Sequence, residues 1–224
     1  MTTSPAASVS LGPVLPVLGL RITAGPIELR GLTDDLIGRL GELAAKGTRA
    51  ADAPPFTTTS WTLAPPEEVP LLLAQAFWAR RADFCAAKWT ASMAAFDDGQ
   101  LAGFVSLMTK NYLVTRTAST ASWLGPEFRG RGIGTAMRRV LCAFAFDHLD
   151  AEYLTSDVYA DNPASLGVSR KLGYTELARG RVARLGEPVT SVELMLTRER
   201  LVRYQHPLAV AGLEAFRHSI GLDG

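Results

Sequence analysis

Residues 129–135 read Arg129-Gly130-Arg131-Gly132-Ile133-Gly134-Thr135. Glycines alternate with arginines and an isoleucine, and Met137, Val140, Leu141, Phe144 and Leu149 then follow at helical spacing. Before the loop, residues 115–124 are rich in Thr and Ser and predict a strand. Glycine lets backbone approach a ligand closely and turn several N–H groups the same way. A helix opening there adds unpaired N–H groups and the positive end of its dipole. The predicted product is an anion site suited to phosphate, with Arg129 and Arg131 adding charge. No lysine follows the glycines as a P-loop requires. The insertion Gly125-Pro126-Glu127-Phe128 is too long for a dinucleotide turn, and Glu152 precedes the next strand instead of following it.

Farther along the chain comes Asp161-Asn162-Pro163-Ala164-Ser165-Leu166-Gly167-Val168-Ser169-Arg170-Lys171-Leu172-Gly173-Tyr174. This stretch resembles the second signature of the GNAT N-acetyltransferase superfamily: an Asn, a small residue three positions on, then Lys-Leu-Gly-aromatic. The first stretch is similar to that superfamily's pyrophosphate loop, matched by Arg129, Gly132 and Gly134. Ser165 at the small position, and Trp123-Leu124-Gly125-Pro126-Glu127-Phe128 before the loop, resemble the RimJ/RimL-type branch. The resemblance is sharp over residues 90–180, fainter over 27–45 and absent at both ends. It implies an α/β (α+β) fold. A mixed, mostly antiparallel sheet of about seven strands is flanked by helices, and the fourth strand splays from the parallel fifth at a bulge. It also implies that an acyl-CoA enters that gap, with cofactor contacts from Trp123, Leu124, Arg129, Gly130, Arg131, Gly132, Ile133, Gly134, Thr135, Asn162 and Ser165.

The remaining composition narrows the class. The chain has 224 residues, 47% hydrophobic and 20% charged, as in globular proteins that bury a sizeable core. Net charge is +1, which implies no general attraction to nucleic acid or to a membrane surface. Cys85 and Cys142 have no paired spacing and predict buried free thiols in a reducing, cytoplasmic setting. Three scattered histidines predict no metal site.

Residues 1–20 carry prolines and a short apolar run without a basic start, and predict a loose arm in place of a signal peptide. Residues 21–200 then form the acyltransferase domain, and residues 201–224 a helical extension suited to covering an edge or to a homodimer contact. Residues 27–30 alternate as a strand, and Thr33 or Asp34 caps a helix running to about residue 46. A second helix spans about residues 66–84. Residues 88–96 and 101–108 predict a hairpin through Asp97-Asp98-Gly99-Gln100. Residues 153–159 form the next strand, and Asn162 caps a short helix that Gly173 stops. Two last strands, residues 174–179 and 189–197, flank an Arg-rich excursion.

In the superfamily the first strand and two helices cover the acceptor pocket, so Phe56, Trp61, Phe77 and Trp78 are the acceptor-side candidates. The implied chemistry is attack of a primary amine on the acetyl-CoA thioester, both substrates being bound together. A backbone amide near Trp123 or Leu124 would steady the carbonyl oxygen. Many relatives carry a proton-donating Tyr where this chain has Ser169, so Ser165 is the candidate hydrogen-bond partner of the departing sulfur. Asp157 and Glu127 are the candidate bases, with a water relay as the alternative. A larger donor such as succinyl-CoA, or a non-catalytic acyl-CoA-binding module, remains open. So does the acceptor: a protein N-terminus, a lysine side chain or a small amine.

Overall fold

The computed structural model describes residues 14–49, 53–57 and 59–223. Its nine strands are β1 (Arg21–Ala24), β2 (Ile27–Gly31), β3 (Thr90–Asp97), β4 (Gln100–Thr109), β5 (Thr117–Leu124), β6 (Tyr153–Tyr159), β7 (Thr175–Arg184), β8 (Glu187–Thr197) and β9 (Ala209–Ala211). The helices are α1 (Asp34–Ala45), α2 (Val69–Ala82), α3 (Tyr112–Thr115), α4 (Ile133–His148), α5 (Pro163–Leu172) and α6 (Leu213–Ser219). One sheet runs β7-β8-β6-β5-β4-β3-β2-β1-β9. Every neighbouring pair is antiparallel except β5 and β6.

Local chemistry sets the elements. Thr33 caps α1 by accepting the Leu36 N–H, and Leu36, Ile37, Leu40 and Leu43 are buried on one face. The β3–β4 hairpin turns through Asp98 and Gly99, both at positive φ (46° and 76°), as the favoured two-residue turn requires. Leu185 and Gly186 make the same turn between β7 and β8 (53° and 85°). The expected Arg-rich excursion is therefore two paired strand ends.

Phe104 of β4 and Trp123 of β5 are register partners on one sheet face, where Phe77 of α2 meets Phe104 edge-on at 5.2 Å. Thr120 lies on the opposite face and meets Arg138 of α4. Helices α1–α2 and α4–α5 thus cover opposite faces. The buried row Met137, Val140, Leu141 and Phe144 seals the α4 side.

The sheet has nine strands where about seven are expected, because both ends of the chain add to one edge. Residues 16–19 form a short helical turn, Val17 and Leu20 are buried, and β1 pairs with both β2 and β9. Residues 1–13 of the expected arm lie outside the described residues. In residues 201–223, the helical extension reduces to α6, whose Phe216 packs against Trp89 at 5.5 Å. Burial of Phe216 and Ile220 draws this segment into the body. Cys142 is buried, but Cys85 is exposed, since it sits in the tight turn facing Lys88 after α2.

Candidate active site

The site begins where β5 and β6 part. Their pairing covers Thr117↔Tyr153, Ala118↔Leu154 and Ser119↔Thr155, and then stops. Beyond it, residues 120–124 and 156–159 face each other unpaired. The expected bulge in β5 is absent: its ladder with β4 runs without a register shift from Thr109↔Ala118 to Gly103↔Leu124. The gap opens by divergence of the two strands.

Register decides which backbone groups face the gap. The Thr109 N–H donates to the Trp89 carbonyl, so it points toward β3. Direction alternates along a strand. Phe104, Ser106 and Met108 therefore point at β5, and their partners Trp123, Ala121 and Ser119 point back. This leaves the backbone of Thr120, Ser122 and Leu124 aimed into the gap. Of the two amides expected there, the Trp123 N–H belongs to the β4 ladder and the Leu124 N–H faces the opening.

At the outer end of the gap lies the glycine loop. Gly130 and Gly132 have φ of 74° and 84°, a region costly for other residues, and Gly132 is the N-cap of α4 without a side-chain cap. Among the described residues, no acceptor takes the backbone N–H groups of residues 130–134; the first bonds are from Thr135 and Ala136 to the Gly132 carbonyl. A Cβ on Gly130 or Gly132 would meet nothing within 4 Å, so the cradle is open space ringed by donors. Gly134 has Leu124 Cδ1 3.2 Å from its virtual Cβ, which sets the close approach of α4 to β5. Ile133 is buried beneath the loop and Thr135 is half-buried. This arrangement fits a phosphate-bearing ligand.

The two arginines divide their labour. Arg131 is exposed, 3.9 Å from the Asp97 carboxylate. Arg129 turns inward: Nε donates to the Leu124 carbonyl (3.1 Å), and Nη2 to the carbonyls of Gly47 (3.2 Å) and Thr48 (2.9 Å). Burial pulls its guanidinium below the usual value. Its side chain holds the segment after α1 against the gap, where a phosphate contact is expected from the sequence. Trp123 does related work, donating through Nε1 to the same Thr48 carbonyl at 2.8 Å.

On α5, Asn162 accepts the Ser165 N–H at 3.1 Å. Ser165 is half-buried, and its hydroxyl makes no hydrogen bond among the described residues. Asp157 is exposed on β6, register partner of Glu193 on β8. Glu127 is exposed on the outer loop. Its own backbone N–H, and then Lys46 at 3.3 Å, hold its carboxylate below the usual range. A carboxylate so stabilised is a weak base, so Asp157 is the better placed candidate.

The acceptor-side candidates separate. Phe56, Trp61 and Phe77 join Phe104 and Trp123 in one aromatic cluster, with Trp61 5.8 Å from Trp123 and 6.2 Å from Phe56. Trp61 and Phe77 are buried. Trp78 lies apart, 46% exposed, with its indole donating to Asp34 at 3.0 Å. It docks α2 on α1 and does not approach the gap. Arg184 ties the loop from the other lip, donating to the Pro55 carbonyl (3.2 Å) and to Asp161 (2.9 Å).

Sequence reasoning misses Phe104, Thr120, Arg138 and Arg184. A signal exists for Arg138: Gly134, Arg138, Cys142 and Ala145 repeat along the inward side of α4. No cluster of three or more His, Cys, Asp or Glu side chains among the described residues is arranged to hold a metal ion. No described helix is long and apolar enough to cross a membrane.

Known proteins share the fold that carries this site. A family model described as "Acetyltransferase (GNAT) domain" matches residues 28–175. A Bacillus subtilis protein provisionally named ribosomal N-acetyltransferase YdaF is 33% identical over 84 residues. That match covers 38% of this chain and 45% of the relative, so the chain spans less than half of the relative's length. RimL, a ribosomal L7/L12 alpha-N-protein acetyltransferase solved with coenzyme A, superposes with a TM-score of 0.63 at 17% identity. It covers 77% of this chain and 94% of its own. RimJ of Mycobacterium smegmatis, in complex with CoA-disulfide, gives a TM-score of 0.63 at 18% identity, covering 83% of this chain and 88% of its own.

Proposed function

The chain belongs to the acetyltransferase (GNAT) domain family, and on that premise we propose that it moves an acetyl group from acetyl-CoA to a primary amine. The observation that carries the proposal is the continuity of two features. The unpaired N–H cradle at residues 130–134 opens into the unpaired β5 edge at Thr120, Ser122 and Leu124. The cradle suits the pyrophosphate. The edge suits an extended arm that adds to β5 as a strand would.

In this reading the Ser122 N–H donates to the thioester carbonyl oxygen as charge gathers on it, while the Leu124 N–H holds the arm nearer the phosphates. The amine arrives as ammonium and gives its proton to Asp157 or to water beside it. The Ser165 hydroxyl, without a hydrogen-bond partner among the described residues, offers a hydrogen bond to the sulfur. The domain proposed to do this comprises residues 21–200, with residues 201–223 completing the far sheet edge.

The acceptor proposed is an amine of a protein, supported by the names of the relative YdaF and of RimL. The reading places the enzyme in the cytoplasm, where acyl-CoA is found, with a homodimer as its assembly. The test is thiol release from acetyl-CoA, measured against a panel of peptides with free N-termini, lysine peptides and polyamines, with succinyl-CoA as the competing donor. Acetyl-CoA turnover on peptide amines supports the proposal. Tight acetyl-CoA binding with no thiol release on any amine favours the binding-module reading.

A further inference from the structure

Arg138 lies on the inward side of α4, 3% exposed. Its Nη1 donates to Ser169 Oγ at 3.0 Å and its Nη2 to Thr120 Oγ1 at 3.1 Å. Its Nε is buried without a partner among the described residues. The guanidinium lies 5.2 Å from the centre of the Tyr174 ring. Its hydrogen-bond partners among the described residues are hydroxyls alone, so no carboxylate offsets the charge. A cation buried without a counter-ion is costly.

Its position is specific. Thr120 is the first residue of β5 beyond the last pair with β6, Ser119↔Thr155, and its hydroxyl also donates to the Thr155 carbonyl at 3.1 Å. Ser169 stands one turn after Ser165 on the same side of α5. Arg138 is thus bonded to the closed end of the gap and to the helix that carries Ser165. From Leu124 to Thr120 the strand spans about 13 Å at the usual rise. A ligand held by its phosphates at residues 130–134 and laid along β5 brings its far end toward these hydroxyls.

Two titratable groups face the guanidinium, Cys142 from α4 and Tyr174 from the start of the β7 hairpin. Burial pushes the Cys142 thiol up to about 11 and the Tyr174 phenol higher still. Both are neutral near neutral pH, so neither supplies the missing negative charge.

We propose that Arg138 is the fixed cation that steadies the coenzyme sulfur as it departs with negative charge. The inference rests on the acyl-CoA reading above. In the step concerned, the amine nitrogen bonds to the thioester carbon and the carbon–sulfur bond breaks. The electron pair stays on sulfur as a thiolate, and the amine proton passes to Asp157 or water. Arg138 touches neither reactant. It is a positioning residue that acts through Ser169, Thr120 and its field in a dry interior.

The test separates charge from packing. Coenzyme A and desulfo-coenzyme A, which lacks the thiol, are titrated calorimetrically into wild type, Arg138→Lys and Arg138→Met at pH 7 and pH 9. A cation near the sulfur lets the bound thiol ionise at lower pH than the free one. Wild type is then expected to bind coenzyme A about sixfold tighter at pH 9 than at pH 7 for a shift of about one pKa unit below the usual thiol value, with desulfo-coenzyme A unchanged. Arg138→Lys keeps that difference. Arg138→Met loses it while binding desulfo-coenzyme A within about threefold of wild type, and its kcat falls with little change in KM. Equal pH dependence in Arg138→Met and wild type overturns the proposal, as does its absence in wild type, a measurement that needs no variant to fold. If wild type binds neither coenzyme species, the acyl-CoA reading fails and the proposal with it.

Discussion

The Arg129 guanidinium and the Trp123 indole donate to one and the same acceptor, the Thr48 carbonyl, at 2.9 and 2.8 Å. The pairing joins the glycine loop, the β5 lip of the gap and the segment after α1. Arg129→Met leaves the carbonyls of Gly47, Thr48 and Leu124 without that donor. Unfolding free energy is expected to fall by about 2–4 kcal/mol, more than for a surface arginine. Arg129→Lys recovers only part of it, since one ammonium cannot reproduce the planar fork. Urea denaturation of the two variants checks this.

Glu127 and Asp157 are expected to behave differently. Glu127 is already held ionised by its own backbone N–H and Lys46 on the outer loop, so Glu127→Gln leaves kcat within about twofold. Asp157→Asn lowers kcat by about 10²-fold or more, the usual loss for a proton acceptor. Steady-state rates with a saturating amine compare them.

Phe77 and Trp61 are core residues of one aromatic cluster, so Phe77→Ala is expected to cost about 3–5 kcal/mol of stability. Trp78, on the outer face of α2, is held by a hydrogen bond to Asp34. Trp78→Phe costs about 1 kcal/mol and leaves acceptor KM unchanged. Thermal melts and acceptor titrations distinguish the two positions.

Alkaline pH should weaken the fold through Cys142. Burial lifts its folded pKa to about 11, above the usual thiol value of 9.0, so the folded thiol keeps its proton where the unfolded one has lost it. The stabilisation is complete below about pH 9 and is lost as pH rises toward 11. The stability lost is on the order of 2–3 kcal/mol. Cys142→Ala is expected to flatten this part of the stability curve, leaving the slope from buried Tyr112 and Tyr174, whose phenols are also pushed up. Urea melts from pH 7 to 10.5 measure both.

How much of this was legible follows from where the determining forces act. Strand β6, the Asn162 cap, the Gly173 stop and the anion cradle depend on local chemistry, and short stretches of sequence carry them. The parting of β5 and β6 came from resemblance. The inward turn of Arg129 was hidden, because its partners are carbonyls of Gly47 and Thr48, distant in sequence and without a side-chain signature. Strands β1 and β9 were missed for the same reason, since Arg21↔Ala211 pairing joins opposite ends of the chain. Arg138 is hidden in the sequence because a basic residue in a helix is usually solvated; only the small residues beside it, Gly134, Cys142 and Ala145, mark that side as inward.

The central claim is that the gap between β5 and β6 and the N–H cradle at its mouth form one acyl-CoA site. Calorimetric titration of acetyl-CoA into wild type and Gly132→Glu tests it most directly. The account predicts saturable one-to-one binding by wild type and a loss of about 100-fold or more in the variant, because a carboxylate fills and repels at the cradle. Undiminished binding by a folded Gly132→Glu, or no binding by wild type, would contradict it.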